Sequence, residues 1–155
     1  MDMIELLDLG AVMPSLKASS KKQLLQEMSS RAEAVTGIPA RRILDVILDR
    51  ERLGTTGVGR GVAIPHGKLP ELDRLYGVFA RLEAAVDFEA IDDQPVDLVF
   101  MLLAPEEAGA DHLKALARIS RLLRDHGNCE KLRGSDSADA LYTLLTDKTT
   151  SSNAA

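Results

Sequence analysis

His66 is the residue whose type and setting best fit covalent chemistry. It stands in GTTGVGRGVAIPHGK, residues 54–68, where Gly54, Gly57, Gly59 and Gly61 lead into a short apolar run and then Pro65, His66, Gly67 and Lys68. Glycines let backbone approach a ligand closely, and amides in such turns form anion-binding concavities. A proline before the ring and a glycine after it place the ring by backbone geometry. Imidazole, with an ordinary pKa of about 6.5, is largely neutral at pH 7 and attacks phosphorus without a separate base. The phosphoramidate so formed is strongly charged and needs cationic or amide donors beside it. Lys68, Arg50 and Arg52 are near in sequence. From the residues alone two readings stand open: a phosphoryl acceptor, or a turn histidine satisfied by backbone hydrogen bonds.

Two nucleotide motifs fail on this segment. A P-loop places four residues between its first glycine and Gly-Lys and follows the lysine with Ser or Thr, whereas Gly61 and Gly67 enclose five and Leu69 follows Lys68. A dinucleotide fingerprint runs Gly-x-Gly-x-x-Gly between strand and helix, but Gly57, Gly59 and Gly61 alternate and follow a helical pattern. Elsewhere, His112 by itself reads as a residue at a helix start that caps or packs. His126, in RDHGNCE, reads as a helix end with Gly127 as the stop. His126 has Cys129 at i+3 and Glu130 at i+4, but no two histidines stand at the i, i+3 or i, i+4 spacing of helix-borne metal sites and Cys129 is the one cysteine, so neither metal nor cofactor is expected. Arg118, Arg121 and Arg124 recur every three residues, a solvated helix face that could also meet an acidic partner.

The elements that must hold this loop follow from periodicity. Leu24, Leu25, Met28, Ala32 and Val35 recur at helical spacing after Ser19 or Ser20 as cap, with Gly37 as stop. After Pro39 the pattern resumes through Ile43, Leu44, Ile47 and Leu48 and runs into Gly54. Residues 75–82, LYGVFARL, and 96–104, VDLVFMLLA, are rich in Val, Leu and Phe, the second so continuously that it predicts a strand buried on both faces. From Asp111, Leu113, Leu116, Ile119 and Leu123 mark a further helix, and Ser137 to Leu145 a last one, capped near Asp136. Alternating helices and strands predict a single α/β domain, a mixed sheet covered by helices on both faces.

Composition limits the function classes. The chain has 155 residues, 24 acidic and 19 basic, for a formal charge of −5. That balance argues against attraction to a phosphate backbone or an anionic lipid surface. With no Trp and 3% aromatic residues it also lacks base-stacking platforms, so no nucleic-acid partner is expected. MDMIELLDLG lacks the basic region and apolar run of an export signal, and no run is long enough to span a bilayer, so a cytoplasmic location without membrane insertion is the expectation. Residues 1–147 are expected to form the domain and 148–155, KTTSSNAA, a flexible tail.

Taken whole, RERLGTTGVGRGVAIPHGKL resembles the active-site segment of the mannitol and fructose class of enzyme IIA in the bacterial phosphotransferase system. Gly-Lys-Leu after the histidine and the later AIDDQPVDLVFMLLAPE resemble the nitrogen-regulatory branch. The resemblance runs from about Leu6 to Leu145. It implies a mixed five-stranded sheet between helices, phosphorylation at His66, and a small histidine phosphocarrier of the nitrogen branch as donor. It also implies that His112 lies beside His66 and holds the phosphoryl group or orients the ring, and that Arg50 helps hold the anion or the docking partner. Gly57, Gly59, Gly61, Gly67, Lys68 and Arg60 are expected to contribute phosphate or donor docking. Where the family usually shows Ser this chain has Thr55, which keeps the hydroxyl; where it often shows Asn, Arg60 adds a charge.

The reading that results is a regulatory phosphocarrier, a phosphotransferase component working through phosphohistidine and without independent metabolic turnover. Its state would be read by targets such as potassium-transport or sensor-kinase components. Two rivals stand beside it: a sugar-specific enzyme IIA that relays phosphate to a permease subunit, and a docking domain never phosphorylated. An independent hydrolase is disfavoured by the lack of a water-activating carboxylate beside His66 in sequence.

Overall fold

The computed structural model describes residues 2–147, so the tail expected at 148–155 lies outside the described residues. Along the chain come α1 (Met3–Leu6), a 3-10 turn (Leu9–Ala11), β1 (Val12–Leu16), α2 (Lys21–Thr36) and α3 (Ala40–Leu53). Four strands with short connections follow, β2 (Gly57–Gly59), β3 (Val62–Ala63), β4 (His66–Lys68) and β5 (Tyr76–Val86). Then come β6 (Val96–Ala104), α4 (Ala110–Arg124), α5 (His126–Arg133) and α6 (Ala138–Thr146).

The apolar run of β6 sets the architecture. Every residue from Leu98 to Ala104 is buried. Successive strand side chains point to opposite faces, so unbroken burial requires cover on both. Helices supply it, with α2 packed on β5, α3 on β4, α4 on β6 and α6 on β1. The main strand order is β1-β5-β6-β3-β2, and β4 also pairs with β6. Thus the sheet has the five strands in line that the resemblance implies, plus a sixth short one. β3 lies parallel to β6 at Leu98 and Val99, and β4 resumes that parallel pairing from Leu102 to Ala104. The β5 and β6 pair is antiparallel while β1 runs parallel to β5, so the sheet is mixed.

Local chemistry explains where elements begin and end. The Ser20 hydroxyl accepts from the Gln23 amide at 3.1 Å, and Gly37, at φ 78°, donates its amide to the Glu33 carbonyl at 2.8 Å, which fixes α2 between the expected cap and stop. For α6 the cap is Ser137, whose hydroxyl accepts from the Ala140 amide at 3.3 Å. The reading of His126 as a helix end is corrected. The Asp125 carboxylate accepts from the Asn128 amide at 3.0 Å, so Asp125 starts a new helix and Gly127 lies inside it. β5 runs past Leu82 to Val86 through a register shift between Arg81 and Val86.

Candidate functional site

The backbone of His66 is tied to the central strand. The Pro65 carbonyl accepts from the Leu102 amide at 2.9 Å, His66 stands opposite Leu102 in the parallel ladder, and the Leu69 amide donates to the Ala104 carbonyl at 2.8 Å. The ring is fixed as well, because its Nδ1 lies 2.9 Å from the Ile64 carbonyl oxygen. A carbonyl only accepts, so Nδ1 carries the proton and Nε2 keeps its lone pair. His66 is half-buried, and burial is the largest influence pushing its pKa below the ordinary imidazole value. The charge of Arg50 pushes the same way, while the Ile64 hydrogen bond and the charge of Glu51 oppose.

The first turn of α4 brings a second imidazole to the first. His112 is buried, and its ring centroid is 5.7 Å from that of His66 with the planes tilted by 59°. Its Nδ1 is enclosed and has no hydrogen-bond partner among the described residues. Burial lowers its pKa first, then the neighbouring His66 and the charge of Lys68. Two imidazoles thus face one another, each pressed toward the neutral form.

Cations border the pair. Lys68 is two residues beyond His66 on β4, so it projects from the same face of the sheet, and it is exposed. Arg50, in the last turn of α3, donates to the Gly54 carbonyl at 3.0 Å, and its charge is felt at His66. Arg52 instead contacts Asp49 on the exposed side of α3. Among the described residues, no three His, Cys, Asp or Glu side chains gather closely enough to hold a metal ion.

Glu51 is the positioning residue that sequence reasoning passed over. Its side chain is 5% exposed, lies 3.0 Å from the Lys21 ammonium, accepts from the Thr56 amide at 3.1 Å, and also takes the Thr56 hydroxyl hydrogen bond. Lys21 in turn sits 4.5 Å from the centre of the Phe88 ring. This cluster fastens the end of α3 to the start of the glycine loop, and the Thr56 carbonyl then accepts from the Ile64 amide at 3.0 Å. Its only sequence signal is an acid placed directly after Arg50, because Lys21 is 30 residues away.

Packing and backbone conformation account for four glycines of this segment. A Cβ on Gly67 would stand 2.6 Å from Val46 Cγ1, so that glycine lets α3 close onto β4. A Cβ on Gly57 would stand 2.8 Å from Ala90 Cα. Gly59 and Gly61, at φ 103° and 81°, turn the chain around Arg60. Val62 and His66 are four residues apart along the β3 and β4 line, roughly 13 Å in extended chain, so this turn is at the far end from the imidazole pair. The structure therefore gathers His66, His112, Lys68 and Arg50, and sets Arg60 elsewhere.

Residues 5–148 match the family described as phosphoenolpyruvate-dependent sugar phosphotransferase system, EIIA 2. A nitrogen regulatory protein from Bradyrhizobium diazoefficiens is 61% identical over 135 residues, covering 87% of this chain and 88% of that protein. A fructose-specific EIIA component from Haloferax volcanii is 40% identical over 104 residues, 67% of this chain and 68% of that one. The crystal structure of the nitrogen regulatory protein IIA-Ntr from Neisseria meningitidis superposes with a TM-score of 0.88 at 33% identity, covering 93% of this chain and 99% of that one.

Proposed function

Because the chain belongs to the EIIA 2 family of the phosphoenolpyruvate-dependent sugar phosphotransferase system, we propose that it is a phosphocarrier whose His66 takes a phosphoryl group through Nε2. The observation that carries this reading is the 2.9 Å contact between His66 Nδ1 and the Ile64 carbonyl, which supplies a neutral imidazole with its other nitrogen unprotonated. The donor is the phosphohistidine of a small carrier protein. As the bond from phosphorus to His66 Nε2 forms, the bond to the donor nitrogen breaks and the electron pair leaves with the donor ring. The proton stays on Nδ1, donated in a hydrogen bond to the Ile64 carbonyl throughout, so no base is needed, and the resulting cationic phosphoimidazole is itself a good leaving group for the next transfer.

The remaining groups act on charge and placement. His112, pressed toward the neutral form and beside His66, donates to a phosphoryl oxygen from Nε2. Lys68 and Arg50 offset the charge on the equatorial oxygens as the group passes in line between imidazoles. No metal takes part in these steps.

The names of the similar proteins from Bradyrhizobium and Neisseria support a regulatory role, in which target proteins such as potassium-transport or sensor-kinase components read the phosphorylation state. The Haloferax relative keeps the sugar relay as the second reading, since the same site would serve and only the acceptor would differ. The place of action is the cytoplasm, in keeping with the absence, among the described residues, of any helix long and apolar enough to cross a membrane.

The test is intact-mass measurement at mildly alkaline pH after incubation with a phosphorylated histidine carrier. One phosphoryl group on the wild type and none on His66→Ala is the expected result. A wild type that stays unmodified with a competent donor would leave only the docking-domain reading.

A further inference from the structure

A cleft lies between the β2–β3 turn and the C-terminal half of α4, with a volume of about 380 Å³. Its apolar wall is Val62, Ile64 and Leu123, all buried, and Ser120, Arg60 and Arg124 stand around it. The volume falls in the range of ordinary small-molecule sites, which are mostly apolar with a few polar groups that fix orientation.

The Arg60 backbone is held in place, and among the described residues neither arginine has a counter-ion. Arg60 occupies the left-handed region at φ 56°, and its turn is gripped from both sides. Its amide donates to Asp92 at 2.9 Å, and its carbonyl accepts from the Arg133 guanidinium at 2.9 Å. The neighbouring carboxylates are engaged otherwise. Asp92 also accepts from the Gln94 amide, Asp97 binds Arg133 at 3.0 Å, and Asp125 caps α5. Among the described residues, no carboxylate forms an ion pair with Arg60 or Arg124.

We propose that this cleft binds a small amphipathic anion, its carboxylate or phosphate head taken by Arg60 and Arg124 and its branched aliphatic body laid on Val62, Ile64 and Leu123. Planar guanidinium forks suit both heads through paired hydrogen bonds, and Ser120 offers a hydroxyl beside them. The assignment gives Arg60, far from His66, a role of its own. Ile64 is both a wall of the cleft and the acceptor for His66 Nδ1, so occupancy would be felt at the ring; that consequence, unlike the binding, rests on the phosphocarrier reading.

The test is a titration of the unphosphorylated protein followed by amide chemical shifts. The probes are 4-methylpentanoate, isopentyl phosphate and, as the uncharged control, 4-methylpentanamide. Saturable shifts at residues 58–64 and 120–124 with at least one anion, at least tenfold weaker in Arg124→Gln and absent with the amide, are the expected result. Whichever anion saturates earlier names the head group. His66→Ala should still bind saturably, so loss of the phosphocarrier reading would leave this result standing. No saturable shift, equal response to the amide, unchanged binding in Arg124→Gln, or a response only to an acidic carrier protein would overturn the proposal.

Discussion

His66 Nδ1 is 2.9 Å from the carbonyl oxygen of Ile64, a residue two positions earlier on the same line of chain. That one contact decides the tautomer of the ring and hence which nitrogen is available for chemistry. Pro65 between the two residues helps place the carbonyl, and its own carbonyl is held by the Leu102 amide.

The neighbouring His112 is expected to act on transfer more than on folding. His112→Ala removes one hydrogen bond to a charged oxygen, worth about 1.5–3 kcal/mol, so phosphoryl uptake should slow by about 10- to 100-fold in single-turnover kinetics. His112→Gln should restore part of the rate, since its amide can donate. Equal rates in wild type and His112→Ala would remove this residue from the site.

Both rings have pKa values lowered on folding, chiefly by burial. The unfolded chain therefore binds more protons in the window just below the ordinary imidazole value of about 6.5, and stability rises with pH there. Stability should be fully present above that value and fall as pH drops through it toward the lowered folded values. Urea unfolding across this range in wild type and in His66→Gln/His112→Gln checks the sign, and the double variant should flatten the slope. The acid limb of the uptake rate should likewise lie below the ordinary imidazole pKa.

Glu51→Ala leaves the Lys21 ammonium and the Thr56 amide without their acceptor. A cost of about 3 kcal/mol is expected from urea unfolding, as for other enclosed ion pairs broken on one side. Adding Lys21→Met should recover part of that loss, because the stranded charge is gone. Additive losses would show that the pair is not coupled.

Gly67→Ala should cost about 1–3 kcal/mol by overpacking, because the new methyl meets Val46 Cγ1 at 2.6 Å. Val46→Ala in the same chain should relieve it. Destabilisation that persists in the double variant would point to the backbone of β4 in place of the α3 contact.

Much of the fold is legible where local chemistry and period agree. Ser20 and Gly37 bound α2 as written in the chain, and the unbroken burial of β6 follows from its apolar run. The parts that escape reading are set by partners distant in sequence. β1 is VMPSL, without alternation and with Pro14, and it forms a strand because it lies at the sheet edge, where a missing amide is tolerated. β2, β3 and β4 are two or three residues each and exist by pairing, not by propensity. Asp125 reads equally well as the end of one helix and the cap of another, and its bond to Asn128 decides.

The site divides the same way. His66 stands out by its Pro and Gly neighbours, whereas His112 comes from α4 and joins it only through the packing of that helix on β6. No spacing rule links them, and the resemblance to enzyme IIA is what joined them in sequence. Arg60 shows the opposite case, a charge near His66 in sequence whose turn precedes Val62, four β6 residues away from the register position of His66.

The most direct measurement is long-range imidazole NMR on the phosphorylated protein, which identifies the ring nitrogen bonded to phosphorus. Phosphorylation of His66 at Nε2, with Nδ1 still protonated and hydrogen-bonded, is the result the tautomer requires. A phosphoryl group on Nδ1 of His66, or on His112, would contradict it.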